Sequence, residues 1–206
     1  MTVYRIRSRF VAQPAVTDWR EQLASRLGCR PRRLGRWSEL GLYGALECLA
    51  MNAENALAKN ATMVLSSQHG PSMAMRTAME QSRDNLPLPL TFLQTQPSQL
   101  LATLSAQLQW CGDARFITHQ DPLAVLSMAL TTAGRKVDGL LLGWVDDIET
   151  ESSLWLRLQP VADPGGLWQQ TDDFSVLLQY ASYMRLVSKQ LEVIIAPNNT
   201  PEDQVY

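Results

Sequence analysis

The stretch from Leu88 to Asp147 decides the fold of this chain. It reads LPLTFLQTQPSQLLATLSAQLQ (88–109), the turn WCGDA (110–114), RFITHQDPLAVLSMAL (115–130), the loop AGRK (133–136) and VDGLLLGWVDD (137–147). The apolar periodicity predicts a helix, a strand, a second helix and a second strand. A strand, a helix and a further apolar strand make a βαβ unit, whose crossover is right-handed in nearly all proteins. We therefore expect an α/β protein.

The corner between the first predicted strand and the helix that follows it is where chemistry is expected. Ligands and catalytic groups of such units lie at the carboxyl ends of the strands. Here His119, Gln120 and Asp121 follow the strand residue Thr118 and precede Pro122, a residue suited to the first turn of a helix. None of them is a serine or cysteine nucleophile, so the sequence predicts no nucleophilic catalysis at this corner.

Length and composition favour a single folded unit. With 206 residues, of which 46% are hydrophobic, the chain can bury one sizeable core. We predict one domain over residues 1–206, with 197–206 as a polar tail. The net charge of −2 gives no argument for a nucleic-acid or membrane partner. No apolar run approaches the roughly 20 residues of a membrane span.

Cysteine and histidine usage argues against metal and cofactor chemistry. Cys29, Cys48 and Cys111 lack metal-ligand spacing, and only two histidines are present. Neither a GxGxxG nor a GxxxxGK phosphate cradle occurs, so no cofactor and no metal is predicted. Cys111 and His119 form the only conceivable thiolate pair. A strand between them implies a separation on the order of 20 Å. An odd number of cysteines suits a reducing compartment, and we place the protein in the cytoplasm.

Outside this stretch, periodicity predicts several further elements. A helix from Ser38 to Lys59 is predicted, in which small residues recur at helical spacing and favour close backbone approach. The run Leu90–Gln96 is predicted as a loop and FSVLLQYASYMRLVSKQ (174–190) as a helix. The other predicted elements are a strand at Val3–Val11, a helix at Asp18–Leu27, a strand at 61–67, a helix after Pro71, a helix at Ser98–Gln109, and strands at 152–160 and 191–197.

Three surface features have both a functional and an ordinary interpretation. Phe92, with Leu93 beside it, marks either an interface or a core contact. His69, which follows the strand 61–67, is either a base or a surface side chain. The basic segment RLGCRPRRLGR (26–36) is either a solvated connection or a docking patch for an acidic partner, since guanidinium groups pair well with carboxylate and phosphate. The docking interpretation concerns Arg30, Arg32, Arg33 and Arg36.

In its order of motifs, the chain resembles a known family. Pro89-Leu90-Thr91-Phe92 corresponds to a proline- and aromatic-containing loop, Ser98–Gln109 to a helix, Gly112 to a turn, Phe116–His119 to a strand and Gly143–Asp146 to a second corner. Upstream, RRLGRWSELGLYGALECLA (32–50) and VLSSQHG (64–70) fit more weakly. This order resembles the N-terminal half of the thiolase-type β-ketoacyl synthases, and specifically the short ketosynthase-like proteins called chain-length factors. It implies a thiolase-like half fold with a mixed β-sheet covered by helices.

The resemblance also implies a non-catalytic role. Depending on the alignment, Gln120 or Asp121 stands where a ketosynthase has its cysteine, and no histidine follows His119. A chain-length factor forms a heterodimer with a full-length ketosynthase, lines the acyl tunnel across the interface and limits chain length. Its pathway would be type II polyketide biosynthesis, with aryl polyenes as one candidate class of product and an acyl carrier protein as donor. The matched interface positions are Thr91, Phe92, Leu93, Gln94, Thr95, Leu100 and Leu104.

A second function is compatible with the same residues. The chain could act alone as a small α/β acyltransferase or thioesterase that uses His69 or His119 with a nearby aspartate. A third arrangement is a homodimeric ketosynthase-like scaffold without a separate partner. Solubility alone, oligomeric state and thioester hydrolysis distinguish these possibilities.

Overall fold

The fold comes from a computed structural model that describes residues 2–86, 88–133, 138–148 and 150–195. The predicted polar tail, 197–206, and most of the AGRK loop lie outside the described residues. The elements, in chain order, are β1 Val3–Ala12, α1 Trp19–Leu27, α2 Arg36–Ala50, β2 Thr62–Ser67, α3 Ser72–Arg83, α4 Pro89–Gln94, α5 Ser98–Gln107, β3 Asp113–Thr118, α6 Pro122–Thr132, β4 Leu140–Asp146, β5 Ser152–Val161, β6 Gln169–Gln170, α7 Phe174–Gln179, β7 Ala181–Val187 and β8 Gln190–Ile195.

Within these described ranges the strands form one mixed sheet of eight, in the order β3-β2-β4-β5-β1-β7-β8-β6. β2 pairs in parallel with both β3 and β4, and the other recorded pairs are antiparallel. The predicted unit of β3, α6 and β4 is therefore confirmed, with β2 inserted between its two strands. The predicted α/β class and mixed sheet are confirmed as well.

Helices cover both faces of the sheet. On one face a core is built around α1, α2 and α5, with Trp37 and Trp155 fully buried. On the other face α6 and α7 pack over Leu142 and Leu156. β2 is buried along its whole length, and its centre is the continuous apolar run Met63–Leu65. Among the helices that the structure describes, none is long and apolar enough to cross a membrane.

The small residues of α2 let that helix lie close to the sheet, as predicted. A Cβ atom added at Gly44 would lie 2.1 Å from Ser153 Oγ and 2.6 Å from Trp155 Cδ1. One added at Gly41 would lie 2.3 Å from Leu100 Cδ2. Glycine is therefore required at both positions for packing.

The predicted helix 38–59 is too long, because α2 ends at Ala50. Ala53 has a φ of 53°, which interrupts helical geometry. Beyond that point Glu54 pairs with Arg157, whose Nε lies 2.8 Å from Glu54 Oε2 and whose side chain is only 7% exposed. A buried cation needs such a partner, and this tertiary contact holds the segment away from the helix.

The predicted helix 174–190 is wrong over its second half. α7 ends at Gln179 and the chain continues as strand β7, which pairs with β1 and β8. Arg9 donates hydrogen bonds to the carbonyl oxygens of Leu177 and Ala181, which holds the end of the helix against β1. Ser188 and Lys189 have positive φ angles and form the two-residue turn between β7 and β8.

Candidate functional site

The carboxyl ends of the parallel strands β2, β3 and β4 meet at one edge of the sheet. Ser67 at the end of β2 is paired with Thr118 at the end of β3, and Ser66 with Trp144 of β4. This register brings the segments after the three strands together. It is the edge at which α/β proteins place their functional groups.

Asp146, the last residue of β4, lies at the centre of this edge. Its Oδ1 accepts hydrogen bonds from Ser67 Oγ at 2.7 Å and from the backbone N–H groups of Gln68 and His69 at 3.1 and 3.2 Å. The Nδ1 atom of His69 is 3.9 Å from the same oxygen. Nothing local in the sequence indicates this pairing, because the two residues are 77 positions apart.

A small cleft opens beside this carboxylate. It has a volume of about 220 Å³ and is lined by Gln13, Gln68, His69, Trp144, Asp146, Ile148, Thr150 and Ser152. Ser67 lies beneath it and is fully buried, and its hydroxyl is engaged with Asp146. The hydroxyl also accepts the Gly70 N–H at 2.7 Å. The Ser67 oxygen is therefore a structural link rather than an exposed nucleophile.

The corner between β3 and α6 has no thiol or free base. Asp121 caps α6, because its side chain accepts the N–H of Leu123 at 2.8 Å. His119 Nδ1 accepts the N–H of Asp121 at 3.0 Å, so the imidazole closes a local turn. Gln120 is exposed. The two positions aligned with a ketosynthase cysteine thus hold a cap and a surface amide.

The cysteines lie away from this edge. Cys48 is fully buried in α2, and burial raises the pKa of its thiol to about 11. Cys29 and Cys111 are exposed. Within residues 2–86, 88–133, 138–148 and 150–195, no group of three or more His, Cys, Asp or Glu could hold a metal ion.

Next to Asp146, the side chain of Asp147 is buried at the end of β4. It is 8% exposed, and its Oδ1 finds no hydrogen-bond partner among the described residues. Burial raises the pKa of this carboxyl to about 6, and the charges of Asp146 and Glu151 add to the effect, whereas Arg36 opposes it. The sequence analysis missed this residue, since nothing local distinguishes it from its neighbour.

A large apolar surface lies on α3 and α4, which pack against each other. No side chain of α3 or α4 is buried. We call this region the α3–α4 apolar surface and define it by its exposed members: Met73, Met75, Met79, Leu86, Leu88, Leu90, Phe92 and Leu93. Six exposed large apolar side chains on one pair of helices, with two more on the connection between them, are typical of an interaction site.

The predicted interface residues 91–95 differ in how exposed their side chains are. Residues 90–94 belong to helix α4 rather than to the predicted loop, because Pro89 begins a helical turn. Phe92 is 64% exposed and Leu93 44%, which excludes a core role for Phe92. Thr91 and Gln94 are half-buried, and Thr95 is buried with its hydroxyl bound to the Phe92 carbonyl oxygen at 2.7 Å.

Leu100 and Leu104 do not face outward, contrary to the prediction that they face a partner. Both are fully buried in the core between α5 and α2. Leu100 occupies the space left by the missing side chain of Gly41. Their apolar face is therefore turned into this chain, and they are core residues.

Strand β3 is an edge of the sheet. Among the described residues it pairs only with β2. Its side chains are exposed or half-buried along the whole strand, including Phe116 and Ile117. An exposed edge strand presents unpaired backbone groups to another chain.

The arginines of the basic segment are exposed and partly paired. Arg30 Nη2 lies 3.4 Å from Glu21 Oε1, and Arg36 contacts Glu151. No ion pair is found for Arg32 or Arg33 within the described part of the chain. The docking of a carrier protein here stays a prediction.

Solved structures with the same architecture identify the fold. A chain of a ketosynthase in complex with its chain length factor, from Xenorhabdus doucetiae, matches with a TM-score of 0.58 and 16% identity over 87% of this chain and 89% of that one. The fold is thiolase-like. The ishigamide ketosynthase/chain length factor matches this thiolase-like fold with a TM-score of 0.62 and 12% identity over 78% of this chain and 59% of that chain.

A third solved structure matches with a comparable TM-score and sequence identity. It is a type II polyketide synthase acyl carrier protein in complex with its ketosynthase, with a TM-score of 0.56 and 11% identity over 78% of this chain and 63% of that one. The chain thus spans about three fifths of the length of these last two proteins. No protein-family model and no curated protein matches the sequence. The thiolase-like fold predicted from the motif order is confirmed.

Proposed function

We propose that this chain is a non-catalytic chain-length-factor subunit, which pairs with a full-length ketosynthase and shapes its acyl tunnel. The observation that carries the proposal is the α3–α4 apolar surface, exposed on a chain of ketosynthase fold. Apolar area of this kind is expected to be covered by a partner, since its removal from water drives association.

The corner between β3 and α6 supports a role without catalysis. Ketosynthases use a cysteine at this position, by the resemblance described above, and the chain has Gln120 or Asp121 there. Asp121 is committed to capping α6. Condensation would therefore take place on the partner, with an acyl carrier protein as donor.

The exposed edge of β3 offers a second contact for the partner. A strand from another chain could extend the sheet at this edge through backbone hydrogen bonds. Together with the α3–α4 apolar surface, it gives the partner both a main-chain and a side-chain contact.

By this proposal the chain sets product length through side-chain volume. Phe92 projects from α4 into solvent, and in the complex it would occupy space at the interface. A bulkier or smaller residue there would shorten or lengthen the tunnel without changing the chemistry. Of the other matched positions, Thr91, Leu93 and Gln94 would line the interface beside Phe92, and the buried Thr95 would hold the end of α4. Type II polyketide biosynthesis in the cytoplasm is the proposed setting, with aryl polyenes as one candidate class of product.

Co-expression with the ketosynthase encoded beside it tests the proposal. Native mass spectrometry should show a one-to-one complex, and Phe92→Ser should weaken it at least tenfold. Leu167→Ser removes an equally exposed apolar side chain outside the α3–α4 apolar surface and is the control. Phe92→Ala should then shift the product towards longer chains. A wild-type chain that stays monomeric beside the ketosynthase would refute the pairing.

The position of His69 favours a second candidate function. Its imidazole lies 3.9 Å from Asp146 in a cleft, an arrangement that could supply a base for thioester hydrolysis. If the chain is an independent acyltransferase or thioesterase, it should hydrolyse acyl thioesters alone, and His69→Ala should abolish the activity. His119→Ala is the companion variant and tests the second histidine, which is held in a local turn.

A further inference from the structure

The turn that joins β2 to α3 is held by a carboxylate from another strand. Asp146 of β4 accepts hydrogen bonds from three groups of this turn: the Ser67 hydroxyl and the backbone N–H groups of Gln68 and His69. The Gln68 N–H also lies 3.3 Å from Oδ2. Hydrogen bonds to an ionised carboxylate are about twice as strong as neutral ones.

A second layer of hydrogen bonds carries this anchoring to the start of α3. The Ser67 hydroxyl, fixed by Asp146, accepts the N–H of Gly70 at 2.7 Å. Gly70 has a φ of +65°, which glycine adopts at little cost and which turns the chain sharply. Ser72 Oγ then donates to the His69 carbonyl oxygen at 2.6 Å and closes the first turn of the helix.

Helix α3 has little else to fix its direction. None of its side chains is fully buried, although Ala74, Ala78 and Gln81 are half-buried, so the core gives it only a limited hold. The element that packs most extensively against α3 is α4, a helix without buried side chains, whose Gln94 Nε2 donates to the Leu34 carbonyl oxygen. The direction of α3 therefore depends on the turn, and the turn depends on Asp146.

We propose that Asp146 is a positioning residue, which orients α3 and thereby gives the α3–α4 apolar surface the shape that its partner recognises. The consequence for the partner rests on the function proposed above. Asp146 acts through Ser67 and Gly70 and need not touch the partner or the acyl chain. Its loss should loosen α3 while the sheet, which is held by Val145 and its buried neighbours, stays folded.

Hydrogen exchange on the free chain tests the anchoring directly. Asp146→Ala should speed the exchange of the amides of residues 68–70 and of α3 at least tenfold and leave those of α5 unchanged. Asp146→Asn keeps one acceptor oxygen, whereas Ser67→Ala removes one donor to Asp146 together with the acceptor of the Gly70 N–H but leaves the two backbone donors of the turn. Both should therefore give intermediate effects in folded proteins. Asp113→Ala removes an exposed carboxylate from β3 and is the matched control.

Binding and product length test the consequence. Affinity for the ketosynthase should fall at least tenfold in Asp146→Ala, and the distribution of product lengths should broaden, which a purely stabilising residue would not cause. Unchanged exchange at residues 68–70 and in α3 would overturn the inference whether or not a complex forms. Faster exchange with unaltered affinity and products would overturn it too. Failure of the wild-type chain to bind the ketosynthase would instead refute the proposed function.

Discussion

The carboxyl group of Asp147 has a pKa far from that of an ordinary aspartate. Most aspartate side chains have a pKa well below 7 and are therefore ionised at neutral pH. Here burial, followed by the charges of Asp146 and Glu151, disfavours the ionised form and raises the pKa to about 6 from an ordinary value of 3.8. The carboxyl therefore opposes folding when it is charged.

The pH dependence of stability should reveal this residue. Between about pH 4 and pH 6 the folded state binds the proton more tightly than the unfolded state, so the free energy of unfolding falls as the pH rises. The rise in pKa corresponds to about 3 kcal/mol of lost stability at pH 7. Asp147→Asn should be more stable than the wild type by up to that amount at pH 7 and no more stable below about pH 4.

Urea unfolding of both proteins at intervals from pH 4 to pH 7 measures this difference. Asp84→Asn, which neutralises the exposed carboxylate at the end of α3, controls for the change in net charge. A difference between wild type and Asp147→Asn that is constant with pH would show that the gain does not come from titration.

At the scale of an element, the distance of α2 from the sheet is set by a few residues at their contact. Ser153 Oγ donates to the Leu40 carbonyl oxygen at 3.0 Å and accepts the Trp155 indole N–H at 3.0 Å. These bonds form across the gap that Gly44 leaves open. The contact is buried and polar, and it has no room for a methyl group.

Substitution of Gly44 by alanine should therefore destabilise the fold by about 1 to 3 kcal/mol, because the added Cβ overlaps Ser153 Oγ and Trp155. Elsewhere in a helix the same change would be favourable by up to about 1 kcal/mol. Chemical unfolding followed by tryptophan fluorescence measures the loss. Ala102→Ser, at an exposed position of α5, is the control. A Gly44→Ala protein as stable as the wild type would contradict the close approach.

For the whole molecule, the distribution of apolar area predicts its behaviour without a partner. The sheet is covered on both faces, yet the α3–α4 apolar surface stays exposed. We expect the isolated chain to self-associate as its concentration increases, since contiguous exposed apolar area promotes association.

Sedimentation velocity over a hundredfold range of concentration measures this association. The double variant Met79→Gln/Phe92→Ser should shift the distribution to the monomer. Met51→Gln/Leu167→Ser removes two exposed apolar side chains outside that surface and should not. A wild-type chain that is monomeric throughout would show that the surface is not adhesive by itself.

The sequence alone was sufficient for features that depend on local pattern. The continuous apolar run of β2, the small residues of α2 and the Asp121-Pro122 start of α6 are each encoded within a few neighbouring residues. The missing nucleophile before Pro122 could be recognised for the same reason. The thiolase-like fold was implied by the resemblance of the motif order to that of the β-ketoacyl synthases.

Only the tertiary structure decided features that depend on contacts between distant segments. The apolar pattern of Leu100 and that of Phe92 are alike in sequence, yet one packs against Gly41 and the other faces solvent. Residues 181–187 form a strand because β1 and β8 supply hydrogen-bonding partners that periodicity cannot anticipate. Asp146 meets Ser67 across 79 positions, since parallel pairing of β2 and β4 aligns their ends. Such long-range pairing, rather than any local signal, builds the edge of the sheet at which Asp146 holds the turn before α3.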